Sequence, residues 1–343
     1  MAAISPRDLV RRFMEGAPTD RVPVVMHLGA YAARLQHARF QEVAYDATLL
    51  ANSLQSAQKL LGCDGLIVTA DPTVEAEACG CAVAWPDDEP QVTSHPWAGD
   101  VAARDMAAGG QPFGGIPLVG LETRGRLSVA LEVTRRLNAV IGKEVALIPA
   151  VTGPVTLAYL LRGPEFLANL ESALERAYQA AEAALAVTVH VVKQYLDLGL
   201  DHLVVFDPLL GAVDPLHYPR LGSGLRTLWN VADFYDVRVL LQTRVDDDAR
   251  VAPLRALAPG GLIIYGDAAS GGATWAEGQA PGVAACPPPS LYLGEAGAVK
   301  AAAAVWRERS RATRALCVCS AIPRSAPPEN VREVVRSIGA KEE

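Results

Sequence analysis

No stretch of this chain approaches the roughly 18 uninterrupted apolar residues that a membrane-spanning helix needs, so no span is expected. The N-terminal MAAISPRDLVRRFMEG has no long apolar core of the kind a secretory leader carries, and the cytoplasm is the expected location. Basic residues are outnumbered, 31 Lys and Arg against 38 Asp and Glu, for a net charge of −7. Nucleic acid calls for a basic stripe and a membrane surface for a basic amphipathic helix, and neither is present. No Gly-x-Gly-x-x-Gly follows an apolar run, which argues against a dinucleotide site. His37, His95 and His190 have no acid or second histidine one helical turn away, so no helical metal pair is expected. No internal repeat or low-complexity linker divides the chain, and residues 1–343 read as one domain.

What is present favours a large core. Half of the 343 residues are hydrophobic and a fifth are charged, which excludes disorder. The length suits two average domains or one α/β barrel. Six cysteines occur at 63, 79, 81, 286, 317 and 319. Without a leader they read as thiols or metal ligands rather than a disulfide framework. Alternate residues of a strand share a face, so Cys79/Cys81 and Cys317/Cys319 each can present two sulfurs together. The plainer reading makes them small buried hydrophobes.

Periodicity predicts an N-terminal helix over about 5–16, capped by Ser5-Pro6. It then gives eight apolar runs at about 22–27, 65–71, 145–151, 203–207, 237–242, 261–267, 282–286 and 315–320, alternating with helices. A Gly- and Pro-rich excursion at about 84–123 interrupts the pattern. Continuous apolar strands between helices mean a parallel sheet covered on both faces. Eight such units fit a (β/α)8 TIM barrel better than a doubly wound sheet.

Barrel chemistry sits at the C-terminal ends of the strands. Those ends read His27, Asp71, Thr152, Asp207, Gln242, Asp267, Cys286 and Ser320. Polar strand ends also serve as helix caps, the plainer role for Asp207 and Asp267. Asp71 is less easily dismissed, because Pro72 fixes the next backbone unit and Glu75 and Glu77 crowd further charge nearby. Such a cluster raises a pKa, coordinates a cation or receives a cationic ligand. Asp71, Glu75 and Glu77 are therefore the candidate catalytic residues, and His27 and Asp207 candidate ligand contacts.

Several segments together resemble the uroporphyrinogen decarboxylase superfamily, and within it the methylcobamide:coenzyme M and related corrinoid-dependent methyltransferases. They are Asp20-Arg21-Val22-Pro23, Asp64–Val83 with its EAEACGC, Thr152-Gly153-Pro154-Val155-Thr156-Leu157, Phe206-Asp207-Pro208, and Ile322-Pro323 with Pro327-Pro328-Glu329-Asn330-Val331. The resemblance runs along nearly the whole chain and implies a (β/α)8 barrel of the decarboxylase type.

It also implies where this chain departs from its relatives. Asp71 falls where the decarboxylases place an aspartate that binds pyrrole nitrogens. Their paired substrate arginines would lie in Met26-His27-Leu28-Gly29-Ala30-Tyr31, which has none. Their late histidine falls at Ser320. The coenzyme M methyltransferases hold zinc with a His-x-Cys pair after the fifth strand and a later Cys, positions that read Gln242-Thr243-Arg244 and Ser320 here. Zinc is therefore doubtful, and the alternative metal set is Cys286, Cys317 and Cys319. Gln242, Arg244 and Ser320 become candidate ligand contacts, with Arg244 as an anion anchor.

Three readings stay open. The first is a corrinoid-linked methyltransferase that works without that zinc on a small-molecule substrate. The second is an altered paralogue that binds a corrinoid, tetrapyrrole or small acidic ligand. The third is another enzyme on the same scaffold, with decarboxylation disfavoured. A corrinoid as methyl donor or acceptor, a corrinoid-binding partner protein and a homodimer are what the resemblance implies.

Overall fold

The computed structural model describes residues 4–99, 116–266, 283–313, 316–319 and 322–341. Eight strands form one parallel sheet: β1 (Val24–His27), β2 (Gly65–Val68), β5 (Ala146–Thr152), β6 (His202–Phe206), β7 (Arg238–Arg244), β8 (Leu262–Tyr265), β9 (Val283–Ala285) and β10 (Cys317–Cys319). They are joined in the order β10-β1-β2-β5-β6-β7-β8-β9, and the two end strands lie against each other. The barrel is thus nearly closed, in sequence order. The short strands β3 (Val83–Ala84) and β4 (Gln91–Val92) form a separate antiparallel hairpin in the excursion after β2.

Alternation along each strand sorts its side chains into two layers. Val25, Ile67, Ile148, Val204, Leu240, Ile263 and Val318 fill the barrel interior. Their neighbours Met26, Leu66, Leu147, Leu203, Leu241 and Cys317 face outward and pack under the helices. Helix Pro6–Met14 closes the N-terminal end of the barrel, where Val10 joins the interior cluster and Phe13 and Met14 pack against it. Arg7 fixes that helix by a bidentate pair with Asp201 at 2.6 and 2.8 Å, just ahead of β6. With that end plugged, a ligand has access from the C-terminal end. No helix among the described residues is long and apolar enough to cross a membrane.

Three boundaries differ from the sequence expectation. The run at 65–71 pairs only through Val68, because Thr69 turns to φ +55° and leaves the ladder. Asp71 therefore sits on a loop beyond the strand, not at its end. Strand β7 continues to Arg244, which places Gln242 inside the strand. The stretch between β5 and β6, which has helical periodicity throughout about 164–198, forms two helices, Glu165–Ser172 and Leu174–Leu196, broken at Ala173 (φ −147°, ψ 55°) without a Gly or Pro to announce it. Asp267 and Ser320 lie outside the described residues.

The Asp-Arg-Val-Pro segment has a structural use. Arg21 grips Asp64 through both guanidinium nitrogens at 2.7 and 2.5 Å, and Asp64 also accepts the Val24 N–H at 2.9 Å. This ties the start of β1 to the start of β2. Breaking a buried pair leaves an uncompensated charge, so Asp64→Ala should lower unfolding free energy by about 3 kcal/mol in urea titrations.

Candidate functional site

A cavity of about 310 Å³ opens at the C-terminal ends of β1 and β2. Its walls are largely apolar: Phe40 and Ala44 from the short helix Phe40–Ala44, Leu50 and Leu54 from helix Ala47–Leu61, Val74, and Val129 and Ala130 from helix Gly125–Ile141. His27, Asp71, Thr73, Glu89 and Arg126 supply the polar part of the lining. Two backbone positions make the mouth. Thr69 takes left-handed φ, an unfavourable state for a β-branched residue, and its hydroxyl donates to the Val68 carbonyl at 2.8 Å. Gly29 follows His27 with φ +24°, and a Cβ there would come within 3.3 Å of His27 Nε2.

Arg126 is the residue the sequence did not reveal. Its side chain is 2 % exposed. It donates from Nη1 to Asp71 Oδ2 at 2.5 Å, from Nε to Glu77 Oε2 at 2.5 Å, and from Nη2 to Thr73 Oγ1 at 2.6 Å. The guanidinium carbon also lies 5.0 Å from the ring centre of Trp85 and 5.6 Å from that of Tyr45, within cation–π range. Arg126 opens its helix 55 positions after Asp71, too far for any spacing rule. One signal was available: three acids within seven residues cannot be buried without a counter-charge. The glycine before it matters too, since a Cβ at Gly125 (φ +48°) would press to 3.2 Å from the Glu77 carboxyl carbon.

The three expected catalytic acids are separated. Asp71 has both oxygens engaged, since Oδ1 accepts the Thr73 N–H at 2.9 Å and its hydroxyl at 2.7 Å while Oδ2 holds Arg126. It caps helix Thr73–Ala78 and anchors the pocket. Glu77 is tied to Arg126 and accepts the Tyr45 hydroxyl at 2.9 Å. Glu75 turns away into the layer between helix and barrel. There it accepts the Thr152 N–H at 3.1 Å and meets the Thr152 hydroxyl at 2.5 Å. Burial pushes its carboxyl up to about 7. A protonated Glu75 suits the geometry, because Thr152 Oγ1 can accept that proton and donate its own to the Pro72 carbonyl at 3.3 Å.

His27 lines the pocket, half-buried, and makes no hydrogen bond among the described residues. Burial lowers its imidazole to about 4, against the opposing pull of Asp71. It is neutral at pH 7, a hydrogen-bonding group rather than a cation. Asp207 has a scaffold role instead. Completely buried, it accepts the Val155 N–H at 3.1 Å, the Thr156 N–H at 2.8 Å and the Thr156 hydroxyl at 2.6 Å. It caps helix Pro154–Arg162 from the neighbouring strand, and burial raises its carboxyl to about 6. Gly153 is obligatory there, because a Cβ would lie 2.3 Å from that of Asp207.

Gln242 and Arg244 alternate with interior Leu240 and so share the barrel-interior side of β7. Gln242 is 2 % exposed, and its Oε1 finds no partner among the described residues. Arg244 reaches the rim and pairs with Asp246 at 3.0 Å. An amide and a guanidinium do not fit zinc, which wants thiolate or imidazole, and a fixed cation repels it. Among the described residues no group of three or more His, Cys, Asp or Glu is arranged to hold a metal ion. Cys286, Cys317 and Cys319 are not brought to one centre, since Cys286 belongs to the interior cluster and Cys317 and Cys319 to the outer layer. All six thiols are free of disulfides.

The fold and site together define a (β/α)8 barrel with a largely apolar pocket on its C-terminal rim. Residues 5–222 match the family model of uroporphyrinogen decarboxylase (URO-D), and the chain belongs to that family. Among curated proteins it is similar to the methylcobamide:CoM methyltransferase MtbA of Methanosarcina acetivorans, 25 % identical over 61 % of this chain and 60 % of that protein. It is likewise similar to MtaA of Methanosarcina barkeri, 23 % identical over 57 % of this chain and 56 % of that protein. The aligned region spans about three-fifths of these relatives' length. A solved methyltransferase from Methanosarcina mazei superposes with a TM-score of 0.80 at 22 % identity, covering 98 % of both chains, and has the same fold.

Two tests address the separated acids. Asp71→Asn keeps the helix cap but weakens the pair with Arg126, so it should cost about 2 kcal/mol of stability as well as altering the pocket. Melting curves should show the loss. For Glu75, the folded pKa of about 7 lies above the ordinary 4.5. Its stabilising contribution is complete below pH 4.5 and lost as pH rises through 7. Glu75→Gln removes that titration, so its melting temperature relative to the unaltered protein should rise between pH 5 and 8. A flat difference would remove the buried-acid assignment.

Proposed function

We propose that this chain is a corrinoid-linked methyltransferase-like protein that acts on a small molecule held in the His27–Asp71–Arg126 pocket, without the zinc site of its relatives. The observation that carries the reading is a pocket built by the chain's own rim residues inside a family whose curated relatives bear methylcobamide methyltransferase names. A corrinoid carries the methyl group when it takes part. The pocket, at about 310 Å³, suits a compact molecule and is far too small for a corrin ring. The ring must then face the barrel mouth from outside, which is the place for a corrinoid-binding partner protein.

The residues present assign the division of work. Phe40, Leu54 and Val129 exclude water from the ligand's body. His27, neutral and beside the opening, orients the polar head by one hydrogen bond. Asp71 and Arg126 hold the loop after β2 in the shape that forms the wall. Decarboxylation of a polycarboxylate has little support, because the one buried guanidinium lining this pocket is committed to two protein acids.

The occupied state of Asp71 favours a second reading, a paralogue that binds its ligand without turning it over. Visible spectroscopy of methylcobalamin mixed with the protein and a small thiol or phenol separates the two. Methyl loss that survives a chelator and disappears in His27→Ala supports the transferase. Ligand binding without any spectral change supports the binding paralogue. Methyl transfer that stops on chelation would overturn the zinc-free assignment. The same reading takes the chain as one barrel domain that pairs as a homodimer.

A further inference from the structure

The charge facing the pocket is unbalanced. Two carboxylates, Asp71 and Glu89, line it with one guanidinium, Arg126, whose charge is also shared with Glu77 behind the wall. All three Arg126 nitrogens donate to protein oxygens, and aromatic rings lie close to it on two sides, so its positive charge is spent within the protein. Asp71 keeps 14 % of its side chain exposed, and Glu89 stands exposed at the rim. The imidazole of His27 brings no compensating charge. A ligand entering this cavity therefore meets apolar walls, one neutral hydrogen-bonding ring and a surplus of negative charge.

We infer that the pocket takes a compact, largely apolar ligand with one polar head and no negative charge, an alcohol or amine on an aryl or alkyl body, and rejects carboxylates of the same shape. The inference rests on the reading of this pocket as the ligand site and deepens it by assigning a chemical class. It also separates the two halves of the rim. The side formed by β1 and β2 repels anions, while Arg244 on β7 stands on the opposite side of the barrel.

Three probes of matched size differ only in head charge at pH 7: benzyl alcohol, benzylamine and benzoate. Ligand-observed saturation-transfer NMR with the full chain measures each, with and without Val129→Trp, which fills the cavity. Ala30→Trp at the mouth serves as a second blocking variant should Val129→Trp fold poorly. Binding sensitive to the blocking substitution is expected for the alcohol and the amine, and at least about tenfold weaker for benzoate, because like charges at close quarters repel. Blockable benzoate binding equal to that of the alcohol would overturn the inference, as would the absence of blockable binding for all three. Neither measurement involves a corrinoid. A charge order that holds beside a failed methyl-transfer assay retires the transferase and leaves the ligand class standing.

Discussion

One buried guanidinium holds the candidate site together. Removing an arginine from water costs several kcal/mol unless every donor finds an acceptor and the charge finds a partner. Arg126 finds its counter-charges in Asp71 and Glu77, and each of its three nitrogens donates to an oxygen of Asp71, Glu77 or Thr73. Its helix is thereby fastened to the loop after β2 and to the short helix Thr73–Ala78, and Trp85 of the hairpin excursion is drawn over it. The pocket wall is the product of those ties. The same economy explains why Asp71 is a poor candidate for a general base. A carboxylate that accepts two hydrogen bonds from Thr73 and an ion pair from Arg126 has little capacity left to offer a substrate.

The barrel was legible because a parallel strand covered on both faces must be apolar at every position. Runs such as Val24–Met26 and Leu203–Val205 admit little else. The N-terminal helix was legible from its Ser-Pro cap. What stayed hidden involves residues distant in sequence. Nothing local announces that Asp207 caps a helix starting at Pro154, or that Glu75 answers to Thr152 rather than to Asp71. The turn at Thr69 was hidden for another reason. Left-handed backbone at a threonine is disfavoured locally and persists only because the surrounding structure enforces it.

The cysteines show the same limit. Strand alternation correctly puts Cys317 and Cys319 on one face, yet the sequence does not say which face. The ladder with β1 settles it, because Cys317 pairs with Val24 and Cys319 with Met26, both of the outer layer. A register shift of one residue would have turned both sulfurs into the barrel. Both are buried, against each other and beside the ring of Tyr292.

The segments that carry the family resemblance turn out to be scaffold ties. Arg21 and Asp64 join the starts of β1 and β2. The stretch Thr152-Gly153-Pro154-Val155-Thr156 is clamped twice, by Glu75 on Thr152 and by Asp207 on Val155 and Thr156. Both clamps are buried carboxyls whose removal would strand backbone N–H groups in the core. Such residues preserve a barrel whatever reaction it hosts. The residues proposed to select chemistry lie elsewhere, at His27, Arg126, Gln242 and Arg244, and of these Arg126 is the one tied by buried ion pairs into the scaffold. Resemblance along those motifs therefore transmits the fold strongly and the reaction weakly. A barrel can keep its clamps and remain the same structure while the side chains around its mouth change.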